Sequence, residues 1–301
     1  MSQRKIALIA NLTSNNSRNQ FKFDRFVYDR LVNSGIEVSL FQTSSLEDLK
    51  KKVKESLDND VNEFVSIGGD GSLHHLVNQL FSQVKDISKL KLAILPKGTG
   101  NDYARNFNFK SKRDILQAII AQQYKKVDIG LLSYTHGDKH FINMLGLGFS
   151  AAVVKKLNRY KWLGGMSYYL ALIDTFFSYQ AEKIELTIDD QAHSWDCFQL
   201  SIGIGKYAGN NMKLCPQAII DDGLFDMNII EKVSLWKLLR YLHTLKDGSY
   251  LNHIPSKSFK ARSIQLLHTS NLDCEADGEE MACPQKVTIL EKRILMPTTS
   301  N

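Results

Sequence analysis

Apolar runs alternate with amphipathic stretches through the first ~125 residues, which predicts strands and helices in turn. The strands are predicted at 5–10, 36–41, 63–67 and 91–95. The helices are predicted at 21–32, 44–57, 73–84 and 113–123. Ser44 and Glu47 have the spacing of a capping box, which sets the start of the second helix at Ser44. This alternation predicts a mostly parallel sheet covered on both faces, with ligands beyond the carboxyl ends of its strands.

After about Val127 short strand-like runs become frequent, with turn residues between them. Two helical stretches interrupt these runs, at 165–179 and 235–245. The pattern predicts a β-rich sandwich or barrel as a second domain, over 127–291, after a first domain over 1–126. The tail 292–301 could return to the first domain. Since no linker rich in Pro, Gly or Ser separates the halves, we expect them to pack around a shared cleft.

The composition is that of a soluble globular protein, with 43% apolar and 23% charged residues. The net charge of +6 is modest, and the basic residues are dispersed along the chain. Their densest run, Lys50–Lys54, falls on a predicted helix and is interpreted as a solvated face, so no nucleic-acid partner is expected. The four cysteines form no C-x-x-C pair, which favours buried thiols over disulfides or a zinc site.

The chain shows no pattern typical of a secretory signal at its start. Its longest apolar stretch, Met166–Tyr179, is interrupted by polar residues and is too short to span a bilayer. We therefore expect a cytoplasmic protein whose membrane contact, if any, is peripheral.

A glycine-rich turn follows the third predicted strand. It consists of Gly68, Gly69, Asp70, Gly71 and Ser72. A strand, a glycine turn and a helix start form the geometry that receives a phosphate, because the backbone can come close and the first helical N–H groups point at the anion. The carboxylate of Asp70 would repel a phosphate unless it orients a group or works through a cation, which hints at phosphoryl transfer.

A second glycine turn follows the next strand. It consists of Gly98, Thr99, Gly100, Asn101 and Asp102. Taken alone, either segment is more simply a turn, with Asn101 or Asp102 capping a helix. The pair favours a phosphate site, because the ends of two parallel strands can meet at one edge. Such a site would contain Asp70 and Asp102 together with the hydroxyls of Ser72 and Thr99.

Two Asp-Gly sites lie in the β-rich half. Asp222-Gly223 stands between apolar runs, so local chemistry favours a hairpin turn, although Asp221 and Asp222 could also bind a hard cation with backbone carbonyls. Asp277-Gly278 is a second candidate turn, within a cluster of four acids. One of these carboxylates could accept a proton from an attacking hydroxyl.

These four sites, in this order, resemble the diacylglycerol kinase catalytic-domain family, which includes bacterial lipid kinases and the related sphingosine and ceramide kinases. The motifs are GGDGS at 68–72, GTGNDYAR at 98–105, DDGLFD at 221–226 and DGE at 277–279. The resemblance covers essentially the whole chain. It implies a three-layer α/β domain similar to those of NAD kinases and phosphofructokinases, followed by a β-sandwich domain with lipid-facing surfaces.

The resemblance also implies transfer of the γ-phosphoryl of ATP to a lipid hydroxyl with magnesium, most simply diacylglycerol to phosphatidate. It assigns nucleotide binding to Asn11, Thr43, Gly68, Gly69, Asp70, Gly71, Ser72, Thr99, Asn101 and Asp102. It implies that Glu279 is the base, that Asp277 is its partner, and that Asp70 with Asp102 organises the catalytic magnesium. A structural magnesium is implied at Asp222, with the carbonyls of Leu224 and of Ile219 or Ile220.

The chain departs from the family pattern at two places. Asn11–Asn16 lacks the proline and glycine of the usual NPxSG loop, and His74-His75 stands where Asn-Glu is usual. An NAD-kinase-like small-molecule kinase is an alternative, against which GTGND and DDGLFD argue. A non-catalytic nucleotide-binding relative is another, against which the clustered acids argue. The expected partner is a lipid at a membrane surface, and exposed strand edges could also pair across a homodimer.

Overall fold

Residues 1–128 and 291–301 form one unit of the chain and residues 129–290 form the other. The structure is a computed structural model that describes residues 3–11, 17–98, 100–268 and 272–299. The chain passes between the units within two strands, Tyr124–Ser133 and Lys286–Pro297.

The strands and helices alternate in the first unit, and strands predominate in the second. The strands are β1 Lys5–Asn11, β2 Glu37–Thr43, β3 Glu63–Gly68, β4 Lys91–Pro96, β5 Tyr124–Ser133, β6 Asp138–Phe141, β7 Met144–Gly148, β8 Glu182–Ile188, β9 Gln191–Gly203, β10 Tyr207–Ala208, β11 Met212–Lys213, β12 Phe225–Glu231, β13 Ser256–Ala261, β14 Ser263–His268, β15 Cys274–Ala276, β16 Glu279–Met281 and β17 Lys286–Pro297. The α-helices are α1 Ser17–Val32, α2 Leu46–Asp58, α3 Asp70–Gln83, α4 Lys112–Ile120, α5 Phe149–Tyr160, α6 Ser167–Ser178 and α7 Leu235–Tyr241. Short 3₁₀ helices are Ile87–Lys89, Tyr103–Phe107, Lys161–Met166, Leu242–Leu245 and Ser249–Asn252.

The first unit contains a parallel sheet in the order β17-β4-β3-β1-β2. On one face, buried residues of β1 such as Ile6 and Leu8 pack against Leu31 of α1 and Ile119 of α4. Helices α2 and α3 pack against each other and against β2 and β3 respectively. A parallel sheet covered by helices buries both faces of its strands, which explains their continuous apolar runs. The predicted α/β fold of the first domain is confirmed.

Two helix starts in this unit differ from the predicted ones. Helix α2 is capped by Ser45, whose Oγ accepts the N–H of Asp48, so the capping interaction lies one residue beyond the predicted Ser44–Glu47 pair. Helix α3 begins at Asp70 instead of Leu73, with Gly69 extended at its N-cap. The acid of the glycine turn thus lies in the first helical turn, where the helix dipole favours a negative charge.

The second unit is built on antiparallel pairs in the order β16-β15-β7-β9-β8-β14-β17, with β9 also pairing β12 and β12 pairing β13. The predicted β-rich class is confirmed. Helix α5 was not predicted, because the apolar run before it reads as a strand through Phe149. That strand ends at Gly148, whose φ of 92° turns the chain into the helix.

The predicted hairpin at Asp222-Gly223 does not form. The turn precedes β12, which pairs with β9 and β13, and no described strand directly precedes the turn. The four cysteines are free thiols and three of them are buried, as predicted. Among the described helices, none has the length and apolarity needed to cross a membrane.

Candidate functional site

The carboxyl ends of β1, β2, β3 and β4 lie at one edge of the sheet in the first unit. Asn11 is in register with Thr43, and Gly68 is in register with Pro96. The end of β1 joins these two pairs, because Ala10 is in register with Ile67. Four strand ends predicted to carry ligand-binding residues therefore meet along one edge, which is where open α/β sheets bind their ligands.

The N-terminus of α3 faces this edge with the glycine turn as its first residues. The first N–H groups of a helix have no partner within the helix and carry the positive end of its dipole. Ser72 lies in the first turn, and its Oγ receives a hydrogen bond of 3.4 Å from the side-chain amide of Asn11. Gly68 has no room for a side chain, because a Cβ there would lie 2.5 Å from Ser72 Oγ. This part of the site is suited to an anion.

The two glycine turns touch each other through their backbones. The N–H of Lys97 donates to the carbonyl of Gly68 at 2.8 Å. A Cβ on Gly98 would lie 2.7 Å from the Cα of Gly69, and one on Gly69 would lie 3.2 Å from the Cα of Gly98. The two segments that the sequence suggested as walls of one site are thus adjacent, and this close approach requires glycine at 98 and leaves little room for a side chain at 69.

The carboxylate of Asp70 connects these turns. Its Oδ2 accepts the N–H of Asp102 and its Oδ1 accepts the N–H of Tyr103, both at 3.0 Å. The acid therefore caps the 3₁₀ helix that starts at Tyr103. Hydrogen bonds from N–H groups stabilise an ionised carboxylate, which explains how an acid is tolerated in a region suited to anions. Its role toward a nucleotide or a metal stays a prediction.

The second turn is closed by its own asparagine. Asn101 has a φ of 52°, and its side chain accepts the N–H of Gly98 at 2.9 Å and donates to the carbonyl of Gly98 at 2.6 Å. Asp102 is buried, and its Oδ1 lies 3.7 Å from Nε of Arg105. Thr99, which was predicted to bind nucleotide, lies outside the described residues.

A cavity of about 190 Å³ opens beside these groups between β1, β2 and α3. It is lined by Ile9, Asn11, Thr43, Ser44, Ser45, Leu46, Leu49, Ser66, Ser72 and His75. Five of the lining residues are Ser or Thr, so the surface offers hydroxyls to a polar ligand. The cavity contains three predicted nucleotide-binding residues, Asn11, Thr43 and Ser72.

Sequence reasoning gave no role to several of the lining residues. His75 lines the cavity, whereas His74 is buried, with its Nε2 3.3 Å from Nδ2 of Asn78. The helical spacing of α3 could have separated the two histidines, because the neighbouring positions 73, 76 and 77 are apolar and define its buried side. Ser66 could not have been found in this way, since it alternates with apolar residues within a strand.

In the second unit, Asp277 and Gly278 form the two-residue turn of the hairpin β15–β16. Both residues have positive φ, 53° and 85°, as a type I′ turn requires. The predicted turn is therefore confirmed. Glu279 follows as the first residue of β16 and is half-buried.

The side chain of Asp277 is bonded to backbone amides. Its Oδ1 accepts the N–H groups of Asn143 and Met144 at 2.9 and 3.1 Å, and its Oδ2 accepts that of Ile142 at 3.0 Å. These three bonds join the turn to the start of β7 and orient the carboxylate. A buried carboxylate with three such donors is held in one orientation. The roles of Asp277 and Glu279 toward a substrate stay predictions.

Glu275 is a buried acid in the same hairpin whose place the sequence did not reveal. One of its oxygens accepts the N–H of Gly278 at 3.0 Å, and the other accepts the hydroxyl of Ser150 at 3.3 Å. Gln199 extends this network, since its Oε1 accepts the N–H of Ser150 at 2.7 Å. A Cβ on Gly146 would lie 2.3 Å from Oε1 of Glu275, so a side chain at this position would displace the carboxylate. Through these bonds Glu275 connects Gly278, the residue before Glu279, to Ser150.

The side chain of Lys260, on β13, lies beside the Asp222 turn as a cation. Lys260 Nζ lies 3.2 Å from Oδ2 of Asp222 and 3.0 Å from Oδ2 of Asp226. Burial alone would lower the pKa of Lys260, but its hydrogen bonds to the two acids outweigh this and raise it. Burial raises the pKa of Asp226, although Lys260 opposes the shift. Lys260 thus stays charged and compensates both acids.

A magnesium ion at this turn would depend on oxygen atoms of the backbone. No cluster of three or more acid, His or Cys side chains suited to a metal occurs among the described residues. The Oδ1 of Asp222 also accepts the N–H of Leu224 at 3.1 Å. Ile220 is buried and Ile219 is exposed. One carboxylate with carbonyl oxygens suits a hard cation. Magnesium binding by Asp222, Leu224 and Ile219 or Ile220 stays a prediction.

The chain belongs to the family of YegS-like lipid kinases. The diacylglycerol kinase catalytic domain matches residues 5–132, and the YegS C-terminal NAD kinase beta sandwich-like domain matches residues 143–296. The motifs therefore identified the family correctly.

Individual relatives agree with this assignment. The chain is 30% identical over 286 residues to a probable lipid kinase YegS-like of Pseudomonas syringae pv. tomato, covering 94% of this chain and 89% of the relative. It is 27% identical over 267 residues to a diacylglycerol kinase of Staphylococcus epidermidis, covering 85% and 81%. The crystal structure of a diacylglycerol kinase from Bacillus anthracis has the same fold, with a TM-score of 0.72 at 19% identity over 99% and 98% of the two chains.

Proposed function

We propose that this protein is an ATP- and magnesium-dependent lipid kinase that transfers the γ-phosphoryl group to a lipid hydroxyl, with diacylglycerol as the preferred acceptor. The observation that carries the proposal is the direct contact of the two glycine turns at the N-terminus of α3. Backbone N–H groups at that position favour the phosphates of a nucleotide. The relatives named as diacylglycerol kinases support the choice of acceptor.

The first unit would bind the nucleotide. The phosphates would lie at the start of α3, close to Ser72, and the hydroxyl-lined cavity would take a polar part of the nucleotide. Asp70 keeps the two turns together through its bonds to Asp102 and Tyr103. Magnesium, when bound with ATP, neutralises charge on the phosphates during transfer.

The second unit would supply the base. Glu279 would accept the proton of the lipid hydroxyl as its oxygen attacks the γ-phosphorus, and the bond from phosphorus to the bridging oxygen of ADP would break. Asp277 would act as a positioning residue, because its carboxylate is already bonded to three backbone amides. Proton transfer by a positioned side chain contributes about 10²–10⁴-fold to rate.

The test is phosphoryl transfer from labelled ATP to lipids in detergent micelles with magnesium. Separate reactions contain diacylglycerol, ceramide, sphingosine and NAD. We expect labelled phosphatidate as the main product. Labelled NADP would instead support an NAD-kinase-like enzyme. Nucleotide binding without transfer to any acceptor would support a non-catalytic relative.

The variant Glu279→Gln tests the assigned base. We expect turnover to fall by about 10³-fold while nucleotide affinity stays within twofold of the parent. Glu280→Gln is the matched control, because it makes the same change at the adjacent, exposed residue of the hairpin. Equal turnover of Glu279→Gln and the parent would remove Glu279 from this role.

A further inference from the structure

Two of the four cysteines lie at the open end of the hairpin that carries Glu279. Cys274 is the first residue of β15, and its register partner on β16 is Met281. Cys283 follows Met281 by two residues, the spacing that returns a side chain to the same side of an extended chain. Because β16 ends at Met281, Cys283 belongs to the segment that connects β16 to β17.

The thiols of these two cysteines are in contact. A hydrogen bond joins the side chains of Cys274 and Cys283. The Sγ of Cys283 also donates to the carbonyl oxygen of Leu272 at 3.2 Å, two residues before Cys274. Cys274 is 2% exposed, whereas Cys283 is half-buried. One thiol of the pair is therefore enclosed, and the other can be reached from solvent.

The remaining two cysteines lie elsewhere in the second unit and are both buried. Burial raises the pKa of the Cys197 thiol, on β9, to about 12. The thiol of Cys215 donates to the carbonyl oxygen of Asp226 at 3.3 Å. These two thiols serve as internal references for the pair at the hairpin.

The contact makes the pair chemically asymmetric. The hydrogen bond to Cys283, together with burial, raises the pKa of the Cys274 thiol above its ordinary value. Cys274 therefore keeps its proton, and Cys283 is the sulfur that ionises first and meets a solute. An accessible thiolate next to a second, resolving thiol is the arrangement that suits a redox-sensitive cysteine pair.

We propose that Cys274 and Cys283 form a reversible disulfide with hydrogen peroxide as the oxidant, and that this bond displaces the strand that carries Glu279. The Cys283 thiolate attacks one peroxide oxygen and becomes a sulfenic acid, while the O–O bond breaks and hydroxide takes up the proton that Cys283 lost. The sulfur of Cys274 then attacks that of Cys283, the S–O bond breaks, and hydroxide leaves with the Cys274 proton as a second water. Two thiols are oxidised and one peroxide is reduced.

The bond changes the hairpin because the contact between the sulfurs has to shorten. Bonded sulfurs lie about 2.05 Å apart, which is closer than two hydrogen-bonded thiols. The residue before Cys283 is now fixed from outside the hairpin, since the hydroxyl of Tyr134 donates to the carbonyl oxygen of Ala282 at 3.1 Å. Movement of Cys283 toward Cys274 therefore strains this bond and displaces β16, whose first residue is Glu279. The effect on turnover rests on the proposed function, whereas the disulfide does not.

Peptide mass measures the bond directly. The protein is treated with hydrogen peroxide near neutral pH, its free thiols are alkylated under denaturing conditions, and it is digested with trypsin. Cleavage after Arg262 and Lys286 leaves Cys274 and Cys283 as the only cysteines of one peptide. We expect that peptide to escape alkylation and to lose about 2 Da, the mass of the two thiol hydrogens. The other two cysteines should be alkylated, and dithiothreitol should reverse the change.

Turnover measures the consequence for the hairpin. With labelled ATP and diacylglycerol, we expect peroxide to lower the turnover of the parent by about tenfold or more, because a displaced base loses its geometry, and dithiothreitol to restore it. Cys283→Ser keeps a hydroxyl that can donate to Leu272, so it should retain the parent's turnover with and without peroxide. Cys197→Ala is the matched control, since it removes a thiol outside the hairpin and should leave the bond and its effect intact. Thermal unfolding checks that each variant is folded.

The outcomes separate this inference from the proposed function. Alkylation of both thiols of the hairpin peptide after peroxide treatment would overturn the disulfide, whatever the kinase activity. A gain of two or three oxygen atoms on Cys283 in place of the bond would also overturn it, because the resolving thiol would then be out of reach. Bond formation with unchanged turnover of an active enzyme would refute the displacement of β16. The bond in a protein that phosphorylates no acceptor would support the thiol pair and contradict the kinase.

Discussion

The substitution Asp277→Asn tests how much the hairpin that precedes Glu279 depends on one carboxylate. Asparagine has almost the same shape, and it tolerates positive φ, so the change adds little backbone strain at φ 53°. Its one oxygen can still accept the N–H groups of Asn143 and Met144. Its amide nitrogen, however, would face the N–H of Ile142, which now donates to Oδ2 at 3.0 Å. The variant therefore exchanges an acceptor for a donor at one defined contact.

The expected cost follows from these contacts. Loss of one hydrogen bond to a charged group, with a buried donor left unsatisfied, costs about 2–3 kcal/mol. The two retained bonds weaken because their acceptor is no longer charged, which adds about 1 kcal/mol. We expect the free energy of unfolding of the second unit to fall by about 3–4 kcal/mol in total. For a unit of this size that corresponds to roughly 10 °C in melting temperature.

Tryptophan fluorescence during urea unfolding measures this effect, because Trp162, Trp195 and Trp236 all lie in the second unit. Asp190→Asn is the matched control, since Asp190 also has positive φ but is exposed, and it should change stability by less than about 0.5 kcal/mol. If Asp277→Asn were as stable as the parent and still lost turnover, the carboxylate would act in the chemistry and the positioning role would be refuted.

Three further outcomes are expected from the structure. Gly98→Ala should weaken ATP binding by at least tenfold, because the new methyl group collides with the backbone of the other glycine turn, and unchanged affinity in a titration would contradict this contact. Lys260→Met should lower the melting temperature, because Asp222 loses its cation, and magnesium should restore part of the loss; a variant indifferent to magnesium would argue against a metal at this turn. Cys197 should react slowly with a thiol reagent at pH 8 and Cys283 faster, because burial raises the pKa of Cys197 to about 12 whereas Cys283 is partly exposed; equal rates would disagree.

The contact of the two glycine turns explains why their sequences were informative. Backbone approach requires glycine at 98 and favours it at 69, and the N–H groups of Asp102 and Tyr103 need the carboxylate of Asp70 as their acceptor. Each requirement leaves a fixed residue type at a fixed spacing, so the motif can be recognised in a single sequence. His75 and Ser66 line the cavity without such a requirement. Only the helical spacing of α3 sets His75 apart from the buried His74, and no pattern indicates Ser66.

The Asp222 turn shows the opposite case. Locally, an Asp-Gly pair between apolar runs favours a hairpin, and that prediction was wrong. The strand after the turn pairs with β9 and β13, both distant in sequence. Lys260, which compensates Asp222 and Asp226, comes from β13, so its role depends on strand pairing that no local pattern contains.

The sequence by itself determined the class of each half, the family and the glycine and acid motifs, because periodicity and fixed residue types are local properties of the chain. Only the tertiary structure decided what surrounds each motif: the capping role of Asp70, the amide bonds of Asp277 and the lysine at Asp222. Long-range packing brings such residues together, and spacing along the sequence does not record it.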